Sequence, residues 1–262
     1  MRKIKVLLAA VLVVLAVVFS IGHGKVRGPK TVVTDRWFVI RIKGQTAGYL
    51  HAVRKASGDA SAPILLEQES LIDSKDDKVR LSVQTYCEDD HYYSPVKATA
   101  QIRQPDEKTA TIEAVMEKKT QYGCCKRQMR LVYRTGDKKY ELDKELPEHT
   151  VTEFSLMELI ERFPFIEGPI VEFNFLDINK IKVRKRHKIA YLGLEKIQIK
   201  GQERALHKFE QKGSGIKQVH YWLDDNHQLL RILRGKKEEL LLSSRAEAWK
   251  PTVDWSRASK EQ

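Results

Sequence analysis

Val219–Leu233 reads VHYWLDDNHQLLRIL, and its alternation decides how the rest of the chain is read. Val219, Tyr221 and Leu223 alternate with His220, Trp222 and Asp224, the period-two pattern of a strand with two unlike faces. Asp224-Asp225-Asn226-His227 supplies residues that tolerate turn dihedrals and hydrogen-bond their own backbone, so the chain reverses there. Leu229-Leu230-Arg231-Ile232-Leu233 then returns as a second strand.

The same alternation recurs on both sides of this hairpin. Arg36–Lys43 places Trp37, Val39 and Arg41 on one face and Phe38, Ile40 and Ile42 on the other. Gly44-Gln45-Thr46 turns it into Ala47–Lys55, which carries Gly48, a residue that inside a strand often marks a bulge. Ile64–Asp73, Val79–Glu88, Val96–Gln104 and Thr109–Lys118 follow at short spacing, separated by turn chemistry, and Arg127–Arg134 ends at Gly136-Asp137. In Val79–Tyr86 the set Val79, Leu81, Val83, Thr85 opposes Arg80, Ser82, Gln84, Tyr86. Beyond residue 169, Ile170–Leu176, Lys180–Tyr191, Glu195–Lys200, Glu203–Gln211 and Glu238–Ser244 complete the set. Many short strands at regular spacing predict a mainly β protein, a curved antiparallel sheet or half-barrel.

One segment departs from this period. Glu153–Phe163 (EFSLMELIERF) repeats its apolar residues at spacings of three and four, which predicts a single amphipathic helix. Thr152 is placed to cap it, Glu153 suits its first turn, and Pro164 stops it.

The chain has 262 residues, ample for a real core, and 31% charged residues with 8% aromatics, too balanced for a disordered chain. Three cysteines exclude a disulfide-dense scaffold. The formal charge of +12 favours anionic partners without choosing among acidic lipid, acidic polysaccharide and nucleic acid.

Arg2, Lys3 and Lys5 precede Val6–Ile21, an uncharged hydrophobic run of 16 residues broken only by Ser20. A basic region followed by an apolar one is an export signal. Ser20 and Gly22 suit cleavage after Gly22, and the run is also close to the roughly 20 apolar residues of a spanning anchor. Residues 1–22 therefore read as a signal peptide or a membrane anchor. Residues 23–35 form a linker, 36–245 one antiparallel β domain, and 246–262 a polar tail. The body is expected outside the cytoplasm, in the periplasm or cell envelope or beyond it, which argues against a nucleic-acid partner.

Phe165-Ile166-Glu167-Gly168-Pro169 after the helix, Gly193-Leu194-Glu195 in a turn, and Tyr221-Trp222-Leu223-Asp224-Asp225 resemble bacterial envelope proteins of unknown function. The opening Ile42-Lys43-Gly44-Gln45-Thr46-Ala47-Gly48-Tyr49 resembles their first hairpin. Those proteins are open antiparallel barrels related in architecture to the periplasmic lipoprotein carriers. The resemblance spans residues 36–245 and implies a curved sheet wrapped partly around a helix, with an apolar cavity and no catalytic residues. Phe154, Met157, Ile160, Phe163 and Trp222 are the expected cavity residues.

Lys180–Lys188 (KIKVRKRHK) is the strongest electrostatic feature. On a regular strand Lys180, Lys182, Arg184, Arg186 and Lys188 share a face, a candidate for an anionic surface and equally a solvated outer face. Cys87 can bridge Cys124 or Cys125 in an exported protein, the adjacent pair can bridge each other, or the thiols can be buried and free. The eight histidines show no metal-binding spacing, so neither metal nor other cofactor is expected. No catalytic motif is present; Glu88-Asp89-Asp90-His91 and Asp224-Asp225 lie in turns, where Asp is favoured for other reasons. Three readings follow. A cavity lined by Phe, Leu and Ile would mark a non-enzymatic lipid-binding envelope protein. A filled core would mark a module that docks a protein partner or an anionic surface. Two facing carboxylates in a cleft would mark a hydrolase.

Overall fold

The computed structural model describes residues 31–56, 63–73, 78–104, 107–121, 124–177 and 182–248. The export run and residues 249–262 lie outside them. The first half of the chain forms β1 (Thr31–Ile42), β2 (Gln45–Ala56), β3 (Ile64–Asp73), β4 (Lys78–Cys87), β5 (Pro95–Gln104), β6 (Glu107–Gln121), β7 (Cys124–Thr135) and β8 (Lys138–Leu146). A short β9 (Thr150–Thr152) leads into helix α1 (Glu153–Ile160). The second half forms β10 (Gly168–Asp177), β11 (Lys182–Ile199), β12 (Gln202–Lys212), β13 (Val219–Leu223), β14 (Leu229–Arg234) and β15 (Glu238–Ser243), followed by a one-turn helix α2 (Arg245–Ala248).

All the strands belong to one sheet, ordered β8-β7-β6-β5-β4-β3-β2-β1-β15-β14-β13-β12-β11-β10-β9. Each strand from β1 to β8 pairs antiparallel with the next, and β10 to β15 do the same. β1 joins the halves by pairing with both β2 and β15, with Trp37 opposite His51 on one side and Ser243 on the other. The sheet is thus a nearly closed barrel whose free edges are β8 and β9. Closure fails there because the chain leaves β8 for the interior: β9 pairs with β10 in parallel through Val151 and Phe175, a register that requires a crossover, and α1 supplies it.

Side chains alternate as the sequence pattern requires. Phe38 and Ile40 of β1, Leu66 of β3, Tyr221 and Leu223 of β13 and Leu240 of β15 face inward and meet α1 in the main core. Val79, Leu81, Val83, Ala98, Ala100, Ile112 and Ala114 line the inner wall of β4–β6. The alanines keep that wall low, and Leu176 of β10 packs directly against it from the other half. Asp224 closes the β13–β14 hairpin as its sequence predicts, its Oδ1 accepting the amides of Asn226 at 3.0 Å and Gln228 at 2.9 Å.

Four expectations need correction. Gly193-Leu194-Glu195 is not a turn between two strands: β11 runs through it, and the register shift against β12 between Tyr191 and Leu194, with Gly193 at φ +90°, makes it a bulge. α1 ends at Ile160, and residues 161–163 follow as a turn rather than helix. α1 is also not amphipathic in use, since every residue from Ser155 to Ile160 is buried, Glu158 included. Finally, β8 has no counterpart among the predicted strands.

Candidate functional site

Why α1 lies inside the barrel follows from its ends and its one charge. Thr152 caps it: its side-chain oxygen accepts the Ser155 amide at 3.1 Å, and Ser155 Oγ accepts the Thr152 amide at 2.9 Å. Two amides of a buried helix start are thereby satisfied without water. Arg36 of β1 pairs with Glu158 and with Glu161, and Arg54 of β2 approaches Glu158 at 3.4 Å. Arg54 Nη1 also donates to the Tyr93 hydroxyl at 2.8 Å, and the Arg162 guanidinium lies 3.8 Å over the Tyr93 ring. Glu161 Oε1 accepts the Leu229 amide at 2.9 Å, tying the helix end to β14. Each buried charge in this group therefore has an opposite charge beside it. None of these residues was singled out from the sequence. The signal was present, since Arg36 shares the parity of Phe38 and Ile40 and so had to point inward.

The expected cavity residues separate into two groups. Met157, Ile160 and Phe163 lie in the main core at 3%, 0% and 1% exposure. Side chains lining a lipid-sized cavity would present surface to it, and these present almost none. Met157 Sδ accepts from Gln68 Nε2 at 3.5 Å, and the helix occupies the space where a ligand would sit. The Phe154 side chain lies outside the described residues. Trp222 is not with them. It faces outward, on the opposite side of β13 from Tyr221, in a separate cluster with Ile199, Leu206 and Leu230. Its indole Nε1 donates to Glu195 Oε2 at 2.6 Å, and the Arg231 guanidinium stands 4.7 Å from its ring. The β11–β12 hairpin folds over it, and Lys200 at the hairpin tip reaches Glu247 of α2 at 2.7 Å.

The basic strand does not form a five-cation face. A register shift between Phe173 and Phe175 opposes two residues of β10 with Arg184 and His187, and Arg186 sits at φ +59°. The bulge turns Arg184 inward, where its Nη1 donates to the Ser214 carbonyl at 3.5 Å, and leaves both Lys185 and Arg186 exposed. Lys188 pairs with Glu172 at 3.1 Å. Lys180 and the Lys182 side chain lie outside the described residues. His187 is fully buried beside Phe173 and Phe175, with Gln211 Nε2 3.3 Å from its Nδ1. Burial, with Arg184 adding to it, holds its pKa below the ordinary value.

At the barrel rim Phe165 is sandwiched between two imidazoles, His207 at 3.5 Å and His227 at 4.0 Å, both nearly parallel to it. His207 bonds the Tyr191 hydroxyl through Nδ1 at 2.7 Å and Asp225 through Nε2 at 3.0 Å. This Asp–His–Tyr chain orients its groups, but burial, with the Glu167 carboxylate, raises the Tyr191 pKa, so the phenol keeps its proton and is a poor nucleophile. Cys87 is a free, fully buried thiol whose pKa is pushed up, first by burial and then by Asp90, which leaves it unreactive. The side chains of Cys124 and Cys125 lie outside the described residues. No cluster of metal-ligating side chains occurs among the described residues. Asp89 pairs with Arg162, and Asp90 accepts the amides of Tyr92 and Ser94, so these carboxylates hold their own turn.

Two surface hollows have mixed polar and apolar linings. One of about 300 Å³ is lined by Glu117, Gln128, Arg130 and Asp143 among others, and one of about 410 Å³ by Asp35, Trp37, Gln228 and Arg245 among others. The first adjoins β8. On the inner side of that strand Tyr140 and Leu142 are 56% and 41% exposed, although they stand opposite Tyr133 and the buried Leu131 of β7. Among the described residues these apolar side chains lie next to a core, on a strand with no neighbour on one side.

No family model matches the chain, and no curated protein does. Among solved structures it is similar to a β-barrel-like protein of a domain of unknown function, DUF1849, from Brucella abortus. The match has 12% identity and a TM-score of 0.46, and covers 80% of this chain and 95% of that one. The fold described above, a barrel-like sheet around a short helix, rests on this chain's own strand order.

Proposed function

We propose that the protein is an exported, non-catalytic docking module of the cell envelope, which engages its partner along the free edge of the sheet at β8. The observation that carries this reading is the buried helix, whose residues from Ser155 to Ile160 present almost no surface. With α1 buried from Ser155 to Ile160 and bolted to β1 by Arg36 and Glu158, recognition moves to the outside, and among the described residues β8 is a terminal strand of the sheet carrying exposed Tyr140 and Leu142. Export rests on Arg2, Lys3 and Lys5 before the apolar run Val6–Ile21. Carriage of lipid, the role suggested by likeness to the periplasmic lipoprotein carriers, would require α1 to leave the barrel and expose two buried charges. An anionic envelope surface is a secondary contact, for which Lys185 and Arg186 at the β11 bulge, with Lys188 beside Glu172, are exposed cations among the described residues of the basic strand.

Backbone amide exchange on the dilute native protein tests the docking edge. The reading expects fast exchange across Tyr140–Lys144 and slow exchange across Ser155–Ile160. Slow exchange at β8 in the isolated monomer would mean that the chain covers its own edge, and would sink the reading.

A further inference from the structure

We propose that the partner at β8 is a second copy of this chain, paired antiparallel about Leu142. The inference deepens the docking reading and rests on it. Sheet edges are ordinarily guarded by charged side chains, proline, bulges or short length. β10, beside the other edge, has such guards: Pro169, two register shifts against β11, and β9 covering Asn174–Leu176. Of these, β8 has only the charged side chains. It contains no proline and pairs with β7 residue for residue from Arg127–Leu146 to Thr135–Lys138, with no shift. Among the described residues, a straight nine-residue strand thus has a neighbouring strand on one side only.

Its sequence, KKYELDKEL, set against itself in reverse, brings opposite charges together at one position and like charges at another. With Leu142 on a two-fold axis, Leu142 of each copy meets Leu142 of the other on the inner face. Tyr140 stands opposite Lys144 there, an aromatic ring against an ammonium. On the outer face Lys139 of each copy stands opposite Glu145 of the other, an attractive cross-strand pair formed twice by symmetry. Glu141 then faces Asp143 of the other copy. Glu141 is already neutralised within its own chain by Lys139 and by Arg130, whose Nη2 lies 2.8 Å away, and Arg130 also stands opposite Asp143 across the β7–β8 pair. Hydrogen bonds from the Lys139 and Arg130 side chains hold the Glu141 pKa down to about 2, so the pair is met as a salt-bridged unit. An isologous contact closes after two copies and does not propagate into a fibre.

The test is the mass of the full chain in solution across a concentration series, by sedimentation equilibrium, for the wild type and three charge variants. A reversible monomer–dimer equilibrium is expected. Glu145→Lys and Lys139→Glu each weaken it about tenfold or more, because each places two like-charge pairs across the axis. The double variant Lys139→Glu/Glu145→Lys recreates the attraction with reversed sign and restores dimerisation. Both positions are exposed, and the double variant separates a lost contact from a lost fold. A dimer indifferent to the single variants, or not restored by the double one, places the contact elsewhere and overturns the proposal. A monomer up to the solubility limit also overturns it. If the β8 amides of that monomer exchange freely, the docking reading stands with a different partner; if they are protected, both fail.

Discussion

Arg36 on β1 and Glu158 on α1 form an ion pair inside the barrel, with both side chains more than nine-tenths buried. A charge brought into a low-dielectric interior is tolerable only while its partner stays beside it. The pair therefore acts as a lock: α1 cannot leave the barrel without exposing one charge and stranding another. Glu158→Gln is expected to destabilise the protein by about 3–5 kcal/mol, because Arg36 loses its closest counter-charge. Joint replacement, Arg36→Met with Glu158→Leu, should cost much less than that single change. Urea unfolding followed by circular dichroism gives both numbers, and equal losses in the two variants would show that the pair is not the lock described.

Trp222 and Glu195 tie the β11–β12 hairpin down over the outer face of β13 through their 2.6 Å hydrogen bond. Trp222 is only 3% exposed there, so Trp222→Ala is expected to cost about 3–5 kcal/mol although the residue is far from α1. The loss should be local in its first effect. Amide exchange should accelerate across residues 195–206 before it does so at Ser155–Ile160. Simultaneous acceleration in both segments would mean that the two clusters form one cooperative unit.

His187 sets part of the acid limb of stability. Burial, with Arg184, lowers its folded pKa beneath the ordinary 6.5, so below that pH the unfolded chain binds more protons than the folded one. Stability is therefore level above pH 6.5 and falls as the pH drops below it towards the depressed folded value. His220, lowered chiefly by burial and then by Lys208, adds a loss of the same sign. His187→Gln should reduce, without abolishing, the difference between the melting temperatures at pH 7 and pH 5. An undiminished difference would place the pH dependence in other groups.

The sheet was legible because its strands bury one face. Phe38 and Ile40, Val79 to Val83, and Val219 to Leu223 alternate so cleanly that strand and inward side could both be read. The Thr152 cap and the Asp224 turn were legible for the same local reason, each being a side chain bonding nearby backbone. What escaped depended on contacts distant in sequence. Nothing local distinguishes Glu158 on a buried helix from a solvated glutamate on an amphipathic one; Arg36 and Arg54, more than a hundred positions earlier, make its burial tolerable. The bulge at Arg186 broke the parity on which the cationic face was predicted. Trp222 was grouped with the helix because large aromatics favour cores, yet its parity relative to Tyr221 already placed it outside. β8 was passed over because its charges mask its pattern, although Tyr140 and Leu142 alternate with Glu141 and Asp143 as an edge strand should.

The central claim, an interior filled by α1 with recognition moved to the sheet edge, is tested most directly by native mass spectrometry with solvent extraction. The full chain would be isolated from the envelope fraction of expressing cells. The account predicts masses of the polypeptide and its simple multiples, with no lipid in the extract above the level of a control protein. A lipid or other apolar molecule recovered in stoichiometric amount would contradict it, and would mean that α1 yields its place to a ligand despite Arg36 and Glu158.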